Sequence, residues 1–308
     1  MISVVIPVYN EEKNVKPLHN ELISIFDTLN LPFEIIFIND GSIDGTLDGL
    51  KQLHPVRIIN FQKCFGQTAA FNAGFKAAKG KTIITMDGDM QNDPHDIPRL
   101  LEKFNEGYDV VCGWRNKRKD VFMKRFFSRG ARVIRRILLE DNLHDAGCSL
   151  RVYKKDALEN LDIYGEMHRF IAPILVLRGF KVTEVKINHR PRIHGTTKYD
   201  WKRAIKGFVD MVNLWFLYKY RARPLHLFGG LGILIGGAGT FLSIFFFIER
   251  VLFAIPLAGR TLPMASLFLV LFGMQLFIMG LLADIMMRNY YNTSKEKSYF
   301  IRDSFENQ

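Results

Sequence analysis

Cysteine is scarce in this chain of 308 residues, and its spacing excludes a disulfide framework. The three cysteines are Cys64, Cys112 and Cys148, and they form no C-x-x-C pair. A structural zinc site or a small disulfide-stapled fold needs closely spaced cysteines, so neither is expected. We expect three ordinary, mostly buried thiols in a protein of a reducing compartment.

Two glycine-rich fingerprints of nucleotide binding are also absent. No G-x-G-x-x-G follows the first predicted strand, and no G-x-x-x-x-G-K-[ST] occurs anywhere in the chain. In Rossmann and P-loop proteins these loops hold phosphates with their backbone N–H groups. A nucleotide diphosphate bound by this protein would therefore be held in another way, such as by a metal ion.

Acidic residues are in deficit, with 31 Asp and Glu against 42 Lys and Arg and a formal net charge of +11. This excess of positive charge favours an anionic partner, such as a phosphate or a lipid headgroup. A nucleic acid partner is not expected, because basic residues without a nucleic-acid-binding motif are weak evidence for nucleic acid binding. The N-terminus, MISVVIPVYN, lacks the basic start of a signal peptide and is expected to form the first strand of a cytoplasmic domain.

Short β-branched runs alternate with helical patterns over the first 190 residues. This alternation predicts an α/β fold with a doubly wound, mostly parallel sheet. The predicted strands are Ser3–Tyr9, Phe33–Asn39, Val56–Phe61, Thr82–Met86, Asp109–Trp114 and Phe180–Ile187. The predicted helices run from Asn10 to about Leu29 and over Thr46–Leu53, Thr68–Ala78, Pro94–Glu106 and Glu166–Leu177.

A pair of carboxylates directly follows the fourth predicted strand, in TIITMDGDMQNDP. Asp87 and Asp89 would lie in the crevice where open α/β sheets bind ligands. Hard oxygen donors there suit Mg²⁺ or Mn²⁺, and Gln91 would add a neutral oxygen ligand or orient the carboxylates. A simple Asp-Gly turn is the alternative. An EF-hand loop is excluded, since Asn92 and Pro98 stand where it needs Gly and Glu.

Four motifs in order, VVIPVYNEE, FINDGSIDGT, GQTAAFNAGFKAAKG and MDGDMQNDP, resemble the inverting family 2 glycosyltransferases with a GT-A fold. Within that family, essentially the whole chain resembles the polyprenyl-phosphate sugar transferases. The resemblance implies transfer of one sugar from a nucleotide diphosphate sugar to a polyprenyl phosphate, with inversion. A UDP-hexose such as UDP-glucose and undecaprenyl phosphate are the expected substrates, in cell-envelope glycan modification. GDP-mannose is the competing donor.

The resemblance also implies roles for individual residues. The nucleotide-sugar site would comprise Pro7, Tyr9, Glu11, Ile38, Asp40, Asp87 and Gly88, and the Mg²⁺ or Mn²⁺ ligands would be Asp87, Asp89 and Gln91. The catalytic residues would be Asp89, Asp145 and Arg115. Asn39 departs from the family pattern, where many members have a second acid before Asp40, so Asn39 is a weaker candidate for a nucleotide contact than Asp40.

Asp145, in HDAGCSLRVYKK, resembles the family's acidic residue near the acceptor. A helix N-cap or a turn acid is the alternative. The second pKa of a phosphate monoester is about 6, so the acceptor is mostly dianionic at neutral pH. A strong general base is therefore unnecessary, and Asp145 would position groups, balance cations or collect the last proton.

Two basic segments follow the predicted sheet. VFMKRFFSRGARVIRRILL, residues 121–139, has an apolar stripe opposite a basic face, as in interfacial membrane helices, although a helix packed on the domain is the alternative. The family resemblance implies that this region meets the lipid phosphate, and the expected phosphate and acceptor contacts are Arg115 before it and Lys124, Arg125 and Ser128 within it. NHRPRIHGTTKY, residues 188–199, would close over phosphates through Arg190, Arg192 and Lys198, or would be a solvated linker.

The last third of the chain has a membrane pattern. Tyr199–Tyr220 is predicted to be an amphipathic interfacial helix, and Leu227–Ile248 and Thr261–Ala283 are uncharged runs long enough to span a bilayer. We therefore predict a GT-A domain over 1–198, an interfacial helix over 199–223, two spans within 224–287 and a tail over 288–308. Basic flanks place the catalytic domain and both termini in the cytoplasm of a bacterial inner membrane. Family likeness implies a homo-oligomer.

Two rival functions stay open at this point. A processive polysaccharide synthase is disfavoured, since Q-x-x-R-W is absent and two spans are too few for a polymer channel. A non-enzymatic membrane adaptor with a degenerate transferase fold is disfavoured by the intact Asp87, Asp89 and Gln91. Polymer without lipid-linked monosaccharide would favour the first rival, and absent nucleotide-sugar binding would favour the second.

Overall fold

The computed structural model describes residues 1–115, 136, 138, 143–159, 161, 163, 165–191, 202–220 and 223–293, with the backbone alone at 202–208 and 291–293. The chain divides into two compact units, Met1–Leu214 and Trp215–Gln308. The finer division predicted from the sequence stays a prediction. Residues 121–135, most of the predicted basic helix, lie outside the described residues.

The first unit alternates strands and helices as the sequence predicts. Its first half contains β1 Ile2–Val8, α1 Glu12–Leu29, β2 Phe33–Asn39, α2 Thr46–Lys51, β3 Arg57–Asn60, α3 Gln67–Ala77 and β4 Thr82–Thr85. A 3₁₀ turn, Pro94–Asp96, then leads into α4 Ile97–Asn105 and β5 Val110–Arg115. The second half contains β6 Arg151–Lys154, α5 Lys155–Leu158, a 3₁₀ turn Met167–Phe170, α6 Ile171–Leu177 and β7 Val182–Ile187.

Seven strands of the described part form one sheet in the order β3-β2-β1-β4-β6-β5-β7. All neighbours are parallel except that β6 runs antiparallel to β4 and β5. The predicted mostly parallel α/β sheet is confirmed. Sequence reasoning missed β6, because its four residues begin with Arg151 and end with Lys154 and so present no apolar run.

The central strands are apolar because both faces of the sheet are covered. Every residue of β1, ISVVIPV, is buried. The core of the unit joins this strand to α1 and α4 through side chains such as Val15, Leu22 and Leu100. Parallel pairing aligns the strand ends, with Val8 beside Asn39 and Val5 beside Thr85. The loops after β1, β2 and β4 consequently meet at one edge of the sheet.

Three helices follow, α7 Lys202–Tyr220, α8 Pro224–Phe253 and α9 Thr261–Thr293. Helices α8 and α9 are long and apolar enough to cross a membrane, by length and composition. Both extend beyond the predicted apolar runs, since polar ends such as Glu249 and Arg250 continue the helical hydrogen bonding. Only residues 254–260 connect them, so the two helices form a hairpin.

Glycines allow the backbones of α8 and α9 to approach closely. A Cβ added at Gly232 would lie 2.6 Å from the carbonyl oxygen of Gly273, and one at Gly239 would lie 2.7 Å from the backbone nitrogen of Val270. Close backbone contact of this kind is typical of helix pairs in lipid. A hydrogen bond of 2.9 Å between the hydroxyls of Ser243 and Ser266 adds a polar contact to this interface.

Candidate active site

The carboxyl edge of the sheet is shaped by a glycine between the two predicted metal ligands. A Cβ on Gly88 would lie 2.5 Å from Cγ1 of Val8, so only glycine lets the loop after β4 pass this close to the end of β1. Met86 continues the strand pairing by donating its N–H to the Val5 carbonyl over 3.3 Å. The loop with Asp87 and Asp89 is thereby fixed beside the loop after β1.

The predicted nucleotide residues surround the ends of β1 and β2. Pro7 and Ile38 are buried, whereas Tyr9 is 36% exposed. Glu11 donates its N–H to the Thr46 hydroxyl over 2.8 Å and accepts a hydrogen bond from the Asn14 amide. The structure therefore brings these residues to one edge, and their contacts with a nucleotide stay predictions.

Asp40 has a structural task besides its predicted one. Its carboxylate is 4% exposed and accepts hydrogen bonds from the backbone N–H of Phe65 (2.7 Å), the N–H of Gly66 (2.9 Å) and the thiol of Cys64 (3.2 Å). Asp40 therefore holds the loop between β3 and α3 beside the candidate nucleotide cradle, which comprises Pro7, Tyr9, Glu11, Ile38 and Asp40. Neighbouring Asn39 donates its amide to Asn60 over 2.7 Å, which explains why a neutral residue fits at this position.

The two carboxylates after β4 lie in an environment that favours a cation. Burial raises the pKa of Asp87, and repulsion by Asp89 raises it further. Arg115 and hydrogen bonds from Ser149 and Gln67 oppose this effect. Two adjacent carboxylates, one with a raised pKa, form a site where a divalent cation would offset the repulsion. The donor set thus fits Mg²⁺ or Mn²⁺.

Gln91 contributes through its backbone in this structure. Its N–H donates to Asp89 over 3.1 Å, and its carbonyl accepts from the N–H of Arg190 over 2.9 Å. The predicted side-chain role of Gln91 as a metal ligand stays a prediction.

Two residues that orient Asp87 escaped the motif-based reasoning. Gln67, the first residue of α3, donates its amide to Asp87 over 2.6 Å. The Ser149 hydroxyl also bonds Asp87 and accepts from the Asn92 amide over 2.7 Å. Gln67 belongs to the quoted GQTAAFN motif, so its place at a helix start after Gly66 was the available signal. Ser149 offered none, since it precedes a strand that was not predicted.

Arg115 and Asp145 form a bidentate ion pair. The Nε of Arg115 lies 2.7 Å from Asp145 Oδ2, and its Nη2 lies 2.9 Å from Oδ1. The side chains are 12% and 8% exposed, and the Asp145 N–H donates to Glu184 over 2.9 Å. Asp145 therefore fixes the guanidinium of Arg115 close to the Asp87 carboxylate, with which Arg115 interacts electrostatically. This geometry suits the predicted positioning role of Asp145 better than a role as a general base.

A cavity of about 340 Å³ lies next to Asp87, over β6 and the start of α6. A ligand pocket of this volume is at the small end of the usual range and suits a single sugar. Its described lining residues are Gln67, Phe71, Thr85, Asp87, Gly147, Cys148, Ser149, Arg151, Tyr153, His168, Arg169 and Ile171.

Arg190 is engaged by carboxylates. Its Nη1 lies 2.9 Å from Glu21, and its Nη2 lies 2.7 Å from Asp93. Together with His95 these acids form a group whose ligand atoms lie within 4.8 Å of one another, but the guanidinium already supplies the positive charge there. A phosphate contact by Arg190 stays a prediction. The other predicted phosphate contacts, Lys124, Arg125, Ser128, Arg192 and Lys198, lie outside the described residues.

Solved structures with the same architecture establish the class of this fold. A glucosyl-3-phosphoglycerate synthase from Mycobacterium tuberculosis, in complex with Mn²⁺, UDP-glucose and phosphoglyceric acid, aligns with a TM-score of 0.56 and 16% identity over 71% of this chain and 79% of that one. A mannosyl-3-phosphoglycerate synthase from Rubrobacter xylanophilus aligns with a TM-score of 0.59 and 14% identity over 72% and 75%. The chain therefore contains a GT-A-type sugar transferase fold.

Sequence comparisons narrow the class to a family. The family model for glycosyl transferase family 2 matches residues 3–162. A dodecaprenyl-phosphate galacturonate synthase of Rhizobium johnstonii is 33% identical over all of this chain and 94% of its own length. An undecaprenyl-phosphate 4-deoxy-4-formamido-L-arabinose transferase of Aeromonas hydrophila is 32% identical over 98% and 93%. The chain belongs to glycosyl transferase family 2, which confirms the family inferred from the motifs.

Proposed function

We propose that this protein transfers one sugar from a nucleotide diphosphate sugar to a polyprenyl phosphate, with inversion at the anomeric carbon. The main support is the order of features along the carboxyl edge of the sheet. The candidate nucleotide cradle follows β2 and β1, the carboxylate pair follows β4, and the cavity lies over β6. The base, diphosphate and sugar of a nucleotide sugar are joined in the same order.

The acceptor is inferred from the family relatives. Two relatives that align over nearly the whole chain are named for dodecaprenyl phosphate and undecaprenyl phosphate. We propose undecaprenyl phosphate or a similar polyprenyl phosphate for this protein. Those names give galacturonate and a formamido-arabinose as the sugars, so UDP-glucose, the hexose donor expected from the sequence, becomes one candidate among several UDP-sugars. GDP-mannose stays the competing donor.

Asp87 and Asp89, with Gln91, would hold Mg²⁺ or Mn²⁺. When bound, the ion would supply positive charge to the leaving diphosphate. Structures that share this fold and were solved with Mn²⁺ or Mg²⁺ and UDP support this assignment.

The chemistry needs alignment more than it needs a base. An oxygen of the dianionic acceptor phosphate attacks the anomeric carbon from the face opposite the diphosphate. The bond from that carbon to the diphosphate oxygen breaks, and the electron pair leaves with the diphosphate. No proton has to be removed from the nucleophile. Arg115, oriented by Asp145, would hold the two phosphate groups close together despite their like charge.

The two apolar helices explain how a water-soluble donor could meet a lipid acceptor. We propose that α8 and α9 cross a bacterial inner membrane and keep the catalytic unit at the cytoplasmic surface. Basic residues at the flanks, including Lys219, Arg223 and Arg288, support this orientation by the positive-inside rule. Assembly into a homo-oligomer is part of the same proposal.

The test is transfer of radiolabel from a panel of UDP- and GDP-sugars into an organic phase. The purified full chain is supplied with undecaprenyl phosphate and Mg²⁺ or Mn²⁺, with a chelator control. Metal-dependent label in the lipid from one donor is the expected result, and it names the sugar as well. Labelled polymer without lipid-linked monosaccharide would instead indicate a processive synthase, and absent nucleotide-sugar binding would indicate an adaptor.

A further inference from the structure

The cavity beside Asp87 contains a buried guanidinium with no acidic partner. Arg151, at the start of β6, is 3% exposed. Its Nη1 donates to the Tyr153 hydroxyl over 3.1 Å, and its Nη2 donates to the Ala146 carbonyl. Its Nε has no hydrogen-bond partner, and no carboxylate of the described residues forms an ion pair with it. Two of the five N–H groups that an arginine offers are therefore used.

The groups around Arg151 do not neutralise its charge. Its electrostatic neighbours include Tyr153, Cys112 and Cys148. Burial raises the pKa of Cys112 to about 12 and that of Cys148 to about 11, and burial also raises the pKa of the Tyr153 hydroxyl. All three stay uncharged at neutral pH. A buried charge is strongly unfavourable without a counter-charge, so Arg151 is poised for an anion.

A second cationic side chain lies at the rim of the same cavity. Arg169 lines it, and its guanidinium lies 3.2 Å from Glu166 in a pair whose side chains are 39% and 36% exposed. Such a solvated ion pair is weak, so Arg169 can exchange Glu166 for a ligand. Among the described lining residues the one carboxylate is Asp87, which belongs to the candidate metal site.

We infer that the donor sugar has a carboxylate group and that Arg151 and Arg169 bind it. This inference rests on the proposed function, since it assigns the cavity to the donor sugar. A guanidinium matches a carboxylate with two parallel N–H bonds. A neutral hydroxymethyl group in the same place would leave the buried Arg151 without an anion. The substrate class is therefore a nucleotide-linked uronic acid, and the bonds broken and formed at the anomeric carbon are unchanged.

The first experiment compares donors that differ at one carbon. UDP-galacturonate is paired with UDP-galactose, and UDP-glucuronate with UDP-glucose, so that each pair differs by a carboxylate against a hydroxymethyl group. Transfer to undecaprenyl phosphate by the full chain is measured as kcat/KM. We expect one uronate donor to exceed its neutral partner by about tenfold or more, as for loss of a charged hydrogen bond. Equal or better transfer of the neutral sugars overturns the inference and leaves the proposed function standing.

Variants assign the selectivity to the cavity. Arg169→Gln is expected to raise KM for the uronate donor and to narrow the ratio between the paired donors, and Arg169→Lys should restore part of that ratio. Arg57→Gln is the matched control, because Arg57 pairs with Glu34 on the surface and does not line the cavity. An unchanged ratio in Arg169→Gln and also in Arg151→Lys overturns the assignment to these residues.

A binding measurement separates this inference from the proposed reaction. UDP-galacturonate and UDP-galactose are titrated into the full chain with Mn²⁺ and without any lipid acceptor. Tighter binding of the uronate, reduced in Arg169→Gln, supports the inference even if no lipid product forms. Equal affinity for both sugars overturns it, whatever the transfer assay gives.

Discussion

The two units use apolar residues in opposite ways. In the first unit the large apolar side chains of β1, β2 and β4 are buried, and charged residues gather at the edge of the sheet. In the second unit the large apolar side chains are exposed, with Phe241 and Leu252 each 70% exposed, while Gly232 and Gly239 are buried. The first arrangement is typical of a domain folded in water, and the second suits lipid, because lipid chains are as apolar as leucine.

Burial therefore has a different physical basis in each unit. In the first unit, removal of apolar surface from water drives packing. In the second, helix association depends on close backbone contact and a few polar pairs such as Ser243 with Ser266. Substitutions that remove a charge should therefore affect the first unit most. Substitutions that replace a glycine by a larger residue should affect the second unit most.

The largest effect is expected from Asp89→Ala. Transfer should fall on the order of 10³-fold or more, because the predicted cation loses a ligand and the leaving diphosphate loses its counter-charge. The labelled-lipid assay measures this loss, and Mn²⁺ with UDP should raise the melting temperature of the wild type but not of the variant. Asp48→Ala, at an exposed position of α2, is the control. Near-normal activity of Asp89→Ala would refute the metal assignment.

The next effect is on stability, from Asp145→Asn. The change leaves Arg115 buried without its anionic partner, which should lower the free energy of unfolding by about 3 kcal/mol. Asp48→Asn breaks an exposed pair with Lys51 and should cost about 0.5 kcal/mol or less. Thermal unfolding of the full chain in detergent compares the two variants. Equal losses would show that the Arg115–Asp145 pair is not the buried contact described above.

A matched pair of glycine substitutions probes the second unit. A side chain at Gly273 would collide with the backbone of Gly236 and Gly232, whereas one at Gly237 meets nothing within 4 Å. Gly273→Leu should destabilise the hairpin by about 1–3 kcal/mol, and Gly237→Leu should be close to neutral. Heat resistance of the detergent-purified protein is the measurement. If both variants behave alike, close glycine contact is not what holds the hairpin together.

The smallest expected effect is on the reactivity of the three cysteine thiols. At pH 8 an alkylating reagent should modify exposed Cys64 and spare Cys112 and Cys148, which are buried and have raised pKa values. A folded-state pKa of about 12 for Cys112, against 9.0 for an unperturbed thiol, means that the folded state retains a proton that the unfolded state loses. Stability should consequently fall as the pH rises from about 9 toward 12. Mass spectrometry after labelling identifies which cysteine was alkylated. Labelling of Cys112 in the folded protein would contradict the prediction.

The sequence predicted the features that depend on local pattern. The alternation of strands and helices, the place of Asp87 and Asp89 at a strand end, and the two long apolar helices all follow from short stretches of chain. The family also followed, because its four motifs are contiguous segments. Helix α1 has the predicted end at Leu29, and most other boundaries differ by one to three residues, since helix ends depend on capping contacts.

What the sequence did not predict depends on contacts between distant residues. Gln67 reaches the site from the start of α3, whereas Ser149 and Arg151 reach it from the segment around the start of β6. An arginine in a strand is expected at the surface until its burial is known. Arg190 reads as a phosphate contact in a basic segment, but Glu21 and Asp93 bind it from 169 and 97 residues away. An ion pair between residues so far apart in the chain leaves no signal in the local sequence.

A structure of the full chain with Mn²⁺ and a bound UDP-sugar would test the proposed active site directly. We expect the anomalous signal of manganese between Asp87 and Asp89, the base beside the ends of β1 and β2, and the sugar ring in the cavity over β6. Manganese at Glu21, Asp93 and His95, or a sugar outside the cavity, would contradict this expectation.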